Sequence, residues 1–258
     1  MSDLTLVGII GTTLQLGLLI VVIWKTLKLM KGGSEVFLPF FFALAMTSVL
    51  LSNLYWVAYD TLRPDTRMPI ASNEIAECAV VLLLSAGLDS VLKDKREILG
   101  EIIFAFLFIS VNIVLWIAWS GEWFQDILFG VPYIYFFWLL IRGLRSRKSM
   151  TRKELWFSSV SSVFFVITQI SFFLVKGEAF KFVEFVSFAV MFVLAIWLGI
   201  KSYRSKDFFV AVTFYLWTNL SMFLSTGVLY YTAMLAETIT FLLMFVSMKR
   251  ELQSNGLR

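Results

Sequence analysis

The residues with the most chemical potential here are carboxylates in places where a carboxylate is costly. Glu237 falls near the middle of the apolar run Val228–Met248, and Glu77 lies about two helical turns inside the run Ile70–Leu92. An ionised group at the bilayer centre costs about 2.5–3.5 kcal/mol on insertion scales, so each needs a partner, a bound cation or a proton. Glu74 and Glu184 stand nearer the ends of their runs. Around these acids are amides. Asn53, Asn73, Asn112, Gln169 and Asn219 each occupy the outer part of an apolar run, and Gln15 lies nearer the middle of the first. Asn73 and Glu77 are four residues apart and share a helix face. Runs of opposite direction thus bring their strongest polar groups to similar depth. The pattern predicts a polar, net acidic cavity in the outer half of a helix bundle, suited to a proton, a cation or a small cationic solute. Single amides are also what interhelical hydrogen bonding alone requires, whereas a buried carboxylate demands more.

Other chemistry is missing. The chain has no histidine, which removes the commonest catalytic base and the commonest metal ligand. Its one cysteine, Cys78, cannot form an intrachain disulfide. There is no phosphate-cradling glycine loop, no metalloprotease signature and no selectivity-filter sequence. No catalytic group, cofactor or metal site is expected. An enzyme built from these residues would need a metal or substrate-assisted chemistry, and no site for either is visible. The Lys and Arg residues form short clusters between apolar runs rather than a basic face interleaved with aromatics, so nucleic acid is not an expected partner.

The elements that must position these groups follow from composition and run length. Hydrophobic residues make up 59% of the 258 positions and charged residues 16%. Soluble domains are nearer half apolar and about a quarter charged, so lipid is the expected solvent. Apolar runs extend over about Leu4–Leu27, Val36–Ala58, Ile70–Leu92, Ile98–Trp119, Phe124–Ile141, Leu155–Val175, Phe180–Ile200, Phe208–Ser225 and Val228–Met248. Each is close to the roughly 20 residues that cross a hydrocarbon core. As one helix, the last two would be about 60 Å long, twice the core thickness. Ser225-Thr226-Gly227 supplies a turn between them. The expected fold is all-α: a polytopic transmembrane bundle of about nine helices forming one domain, with no soluble domain attached. Seven or eight helices with one re-entrant segment is the competing count.

Charge tests the count. Threading the N-terminus outside places Lys25, Lys28, Lys31, Lys93, Lys95, Arg96, Arg142, Arg145, Arg147, Lys148, Arg152, Lys153, Lys201, Arg204, Lys206, Lys249, Arg250 and Arg258 inside. Only Arg63, Arg67, Lys176 and Lys181 remain outside, the asymmetry of the positive-inside rule. The first run has no basic segment before it and Lys25, Lys28 and Lys31 after it, so it reads as a retained helix rather than a cleaved leader. The expected location is a cell membrane, multi-pass, with the C-terminus inside. Glycine (14) and proline (4) are scarce, and Pro132 alone lies well inside a run. Few helices are therefore broken, unlike transporters that bind substrate at unwound segments. The functional expectation is a small transporter or channel for a cation, proton or small cationic solute. The alternative is a sensor or accessory subunit that binds a ligand or a membrane partner protein and has no output domain.

Overall fold

Uninterrupted apolar runs with few breakers satisfy every backbone group within the segment, so in lipid they form helices. In the computed structural model, which describes residues 3–31, 36–62, 72–92, 96–225 and 227–254, each run does so. The helices are α1 Asp3–Met30, α2 Phe37–Leu62, α3 Ser72–Val91, α4 Leu99–Ser120, α5 Trp123–Ser146, α6 Arg152–Leu174, α7 Glu178–Ser205, α8 Phe208–Phe223 and α9 Gly227–Ser254. Among the described residues there are nine helices and no strand. Their ends are set locally. Thr151 caps α6 in a reciprocal pair with Glu154, and the Asp207 carboxylate accepts the first free N–H groups of α8, from Phe209 and Val210. Gly121 ends α4 at φ 78°, a left-handed conformation that glycine adopts without steric cost.

Neighbouring helices form a closed ring in the order α1, α2, α3, α5, α4, α6, α7, α9 and back to α1. Helix α8 runs through the centre. Phe208, Phe209, Val210, Ala211, Val212, Tyr215, Leu216, Asn219 and Ser221 are all buried, on every side of α8, as expected of a helix that is apolar all round. Its neighbours hold it by side chains. Phe208 meets Phe42 of α2, Trp217 meets Phe165 of α6, and Tyr215 meets Phe241 of α9. The Trp217 indole N–H donates to the Met191 carbonyl of α7 at 3.3 Å. Gly143 of α5 leaves room for the Phe209 ring, which a Cβ there would overlap.

Seven of the nine helices are long and apolar enough to cross a membrane. The two others are α3 and α8. Helix α3 carries Glu74, Glu77 and Asp89, and α8 has only 16 residues. At 1.5 Å per residue α8 is about 24 Å long, short of a hydrocarbon core of about 30 Å. Protein on all sides makes that tolerable, because a helix end is costly at membrane depth only where lipid meets it. The outside of the ring is apolar: Leu14, Phe37, Leu51, Leu99, Val114 and Phe182 are among its exposed residues. A water-soluble monomer does not present so continuous an apolar surface. The protein is an integral, multi-pass membrane protein.

At one end of the bundle, ion pairs tie neighbouring helix ends together. Arg147 grips Glu251 of α9 through both oxygens, at 2.5 and 2.8 Å, and also donates to the Val91 carbonyl at the end of α3. Arg145 pairs with Glu101 of α4 at 2.6 Å, and Lys201 of α7 with Glu154 of α6 at 2.7 Å. Ser149 donates to Asp207. These are helix ends that the charge pattern assigns to a single membrane face.

Candidate functional site

Helix α9 packs back along α8, and this brings Asn219 and Glu237 to the same cavity. Helix α1 packs along α9 and α2 along α1, which adds Gln15 and Asn53. Between these helices is a cavity of about 60 Å³. Glu237 and Glu77 line it, with Gln15, Asn53 and Asn219. Thr12, Ser52, Tyr215, Tyr230 and Tyr231 line it as well. No lysine or arginine lines it among the described residues.

Glu237 is 6% exposed, Gln15 2% and Asn219 3%. The Gln15 amide N–H donates to Glu237 Oε2 at 2.9 Å. The orientation of that amide is determined from behind, because Asn53 Nδ2 donates to Gln15 Oε1 at 2.7 Å. Asn219 also hydrogen-bonds the Glu237 carboxylate. Its own Oδ1 accepts from the Tyr133 hydroxyl at 2.8 Å, which turns its N–H groups toward Glu237. Two amides, each held by a second residue, therefore present donors to one carboxylate. A carboxylate is an acceptor only and suits that arrangement, whereas a carboxylic acid must also donate. Donors of this kind orient and partly solvate the carboxylate but bring no opposite charge.

Glu77 also lines a second, smaller cavity of about 30 Å³, toward the α3 and α5 ends that begin at Ser72 and Trp123. Glu74, Asp126, Cys78 and Tyr133 share its wall. Three carboxylates, Glu74, Asp126 and Glu77, thus stand beside one chamber, and Glu77 is common to both. Among the described residues no three carboxylate or thiol groups come close enough to hold a metal ion together.

Of the residues singled out by sequence, Asn53, Glu77, Asn219 and Glu237 come together at the larger cavity, and Glu74 at the smaller. Asn73 belongs to α3, and its side chain lies outside the described residues. Three others are placed elsewhere. Asn112 is buried on α4 and donates to the Phe108 carbonyl of its own helix at 2.8 Å. Gln169 is buried between α6 and α7, where it donates to the Ser187 hydroxyl at 2.5 Å. Glu184 is exposed on α7. The tyrosines were not anticipated. A phenol within an apolar run needs a hydrogen-bond partner when buried, and that need was the available signal for Tyr133 and Tyr215. No family model, no curated protein and no solved structure matches the chain, so the site's chemistry carries the functional reading by itself.

Proposed function

We propose that the protein is a small membrane transporter or channel that takes a proton or a small cation at Glu237. One observation carries this reading: a carboxylate buried near the middle of α9, held by two oriented amide donors, beside a cavity that no basic side chain lines among the described residues. A charge so placed is balanced by something that enters from outside the fold. A cavity of about 60 Å³ has room for a few water molecules, or for an inorganic ion with part of its hydration. A bulkier cationic solute requires the bundle to open.

The smaller acidic cavity supports entry from the α3–α5 end, with Glu74, Asp126 and Glu77 lowering the potential along the way. The distribution of Lys and Arg supports an N-terminus outside and a C-terminus inside, which makes that end the outer one. The test is ion flux into proteoliposomes holding the purified full-length chain, with H⁺, Na⁺, K⁺ and small amines each supplied as a gradient. Flux above empty vesicles for at least one of them is expected. Cation-dependent stabilisation of the protein without flux would reassign the site to a sensor or accessory subunit. Neither flux nor stabilisation, with insertion verified, would overturn the reading.

A further inference from the structure

Helices α7 and α9 leave a groove of about 700 Å³ on the outer surface of the bundle. Small residues create it: Ala195 and Gly199 on α7 and Ala233 and Ala236 on α9 line the facing walls. The floor is α8, with Trp217 and Thr218. A void this large falls in the range of small-molecule sites, about 300–1,000 Å³. The groove and the Glu237 cavity share no lining residue, because they lie on opposite faces of α9.

Its polarity is graded along its length. The walls are apolar from Met191 to Ile200, and the groove ends at Tyr203 and Arg204 in the last turn of α7. From Met191 to Arg204 the helix rises about 20 Å, and one leaflet of a hydrocarbon core is about 15 Å deep. Arg204 is exposed, and among the described residues no carboxylate pairs with it, in contrast to Arg145, Arg147 and Lys201. Arg250 of α9 donates to the carbonyl of Ser205, the residue after Arg204, at 2.7 Å.

We propose that this groove binds an anionic phospholipid, with one acyl chain along α7 and α9 and the phosphate at Arg204. An apolar slot about one leaflet deep that ends in a guanidinium with no carboxylate partner among the described residues has the form of a lipid, not of a helix. A partner helix is about 10–12 Å across and apolar along this stretch, so it would leave Arg204 without a counter-charge. Basic pockets between membrane helices on the cytoplasmic side recognise anionic head groups by charge, and arginine adds bidentate hydrogen bonding to phosphate. The inference does not depend on the transport reading, since it uses other residues and another surface.

The experiment is native mass spectrometry of the full chain extracted in mild detergent, with bound lipids identified after release. The wild-type protein should retain an anionic phospholipid through delipidation. Arg204→Gln, at an exposed position, should lower that retention about fivefold, the factor for one cation at an anionic surface. Ala195→Phe, which fills the slot, should abolish it, and Lys153→Gln, on exposed α6, should leave it unchanged. Equal retention of anionic and zwitterionic lipids, or no loss in Arg204→Gln, would overturn the proposal. So would a wild-type dimer that Ala195→Phe converts to monomer with no change in bound lipid, because a second copy would then occupy the groove. If Ala195→Phe fails to fold, Arg204→Gln decides alone.

Discussion

Replacing Glu237 with glutamine keeps the size of the side chain and removes its charge and one acceptor. In the wild-type site Gln15 and Asn219 both donate to the carboxylate, and Asn53 and Tyr133 hold those two amides in that orientation. A glutamine has a single carbonyl oxygen for two donors, and its own amide group faces one of them. One buried donor loses its acceptor, which costs about 1–3 kcal/mol, while removal of an unbalanced buried charge offsets part of that. The protein should therefore still fold. The larger change is in cation affinity. A unit charge about 4 Å from a carboxylate, at an effective dielectric constant of about 20, gains about 4 kcal/mol, so its loss weakens binding about a thousandfold. The assays are flux in proteoliposomes and thermal stability as a function of cation concentration. At about a hundred times its dissociation constant, a cation should stabilise the wild-type protein by about 2.7 kcal/mol. The same concentration should leave Glu237→Gln unmoved, and its flux should fall to the level of empty vesicles. Full flux and an unchanged cation-dependent shift in Glu237→Gln would refute the reasoning.

Tyr133→Phe removes the hydroxyl that orients Asn219. One neutral hydrogen bond is worth about 0.5–1.5 kcal/mol, so cation affinity should weaken about two- to tenfold in the same titration, well short of the Glu237→Gln loss. Arg147→Ala should destabilise the protein by about 1.5–3 kcal/mol in a thermal scan, because it removes both charge-assisted hydrogen bonds from Arg147 to Glu251. Pairing Arg147→Met with Glu251→Leu should recover much of that loss. Gly143→Ala drives a methyl group into the Phe209 ring and should cost about 1–3 kcal/mol of stability by the same measurement. A reporter fused after Arg258 should behave as cytoplasmic and one inserted in the Tyr59–Pro69 segment as external. The reverse result would invert the assigned orientation.

The number and extent of the helices were legible in the amino-acid sequence alone. The nine apolar runs correspond one to one to the nine helices among the described residues, although α5, α7 and α9 continue past their runs to Ser146, Ser205 and Ser254, because the hydrocarbon core demands a near-constant run length and few glycines or prolines interrupt it. The break between α8 and α9 was legible for the same reason: one helix through it would be twice too long. The chemical interest of Glu237 followed from the rarity of carboxylates at that depth, since rise per residue converts position in a run directly into position in the bilayer. The direction in which each helix faces was not legible. Lipid and protein core are both apolar, so a lipid-facing leucine and a core-facing leucine look alike, and no polar stripe marks the inward face. Only the tertiary structure therefore placed α8 at the centre of the ring. It also turned Gln15, Asn53 and Asn219 toward one cavity while sending Gln169 to Ser187, Asn112 to its own helix and Glu184 outward. The direction of each amide, which makes Glu237 an acceptor of two donors, depends on second partners from α2 and α5. Those contacts exist only once the helices have packed.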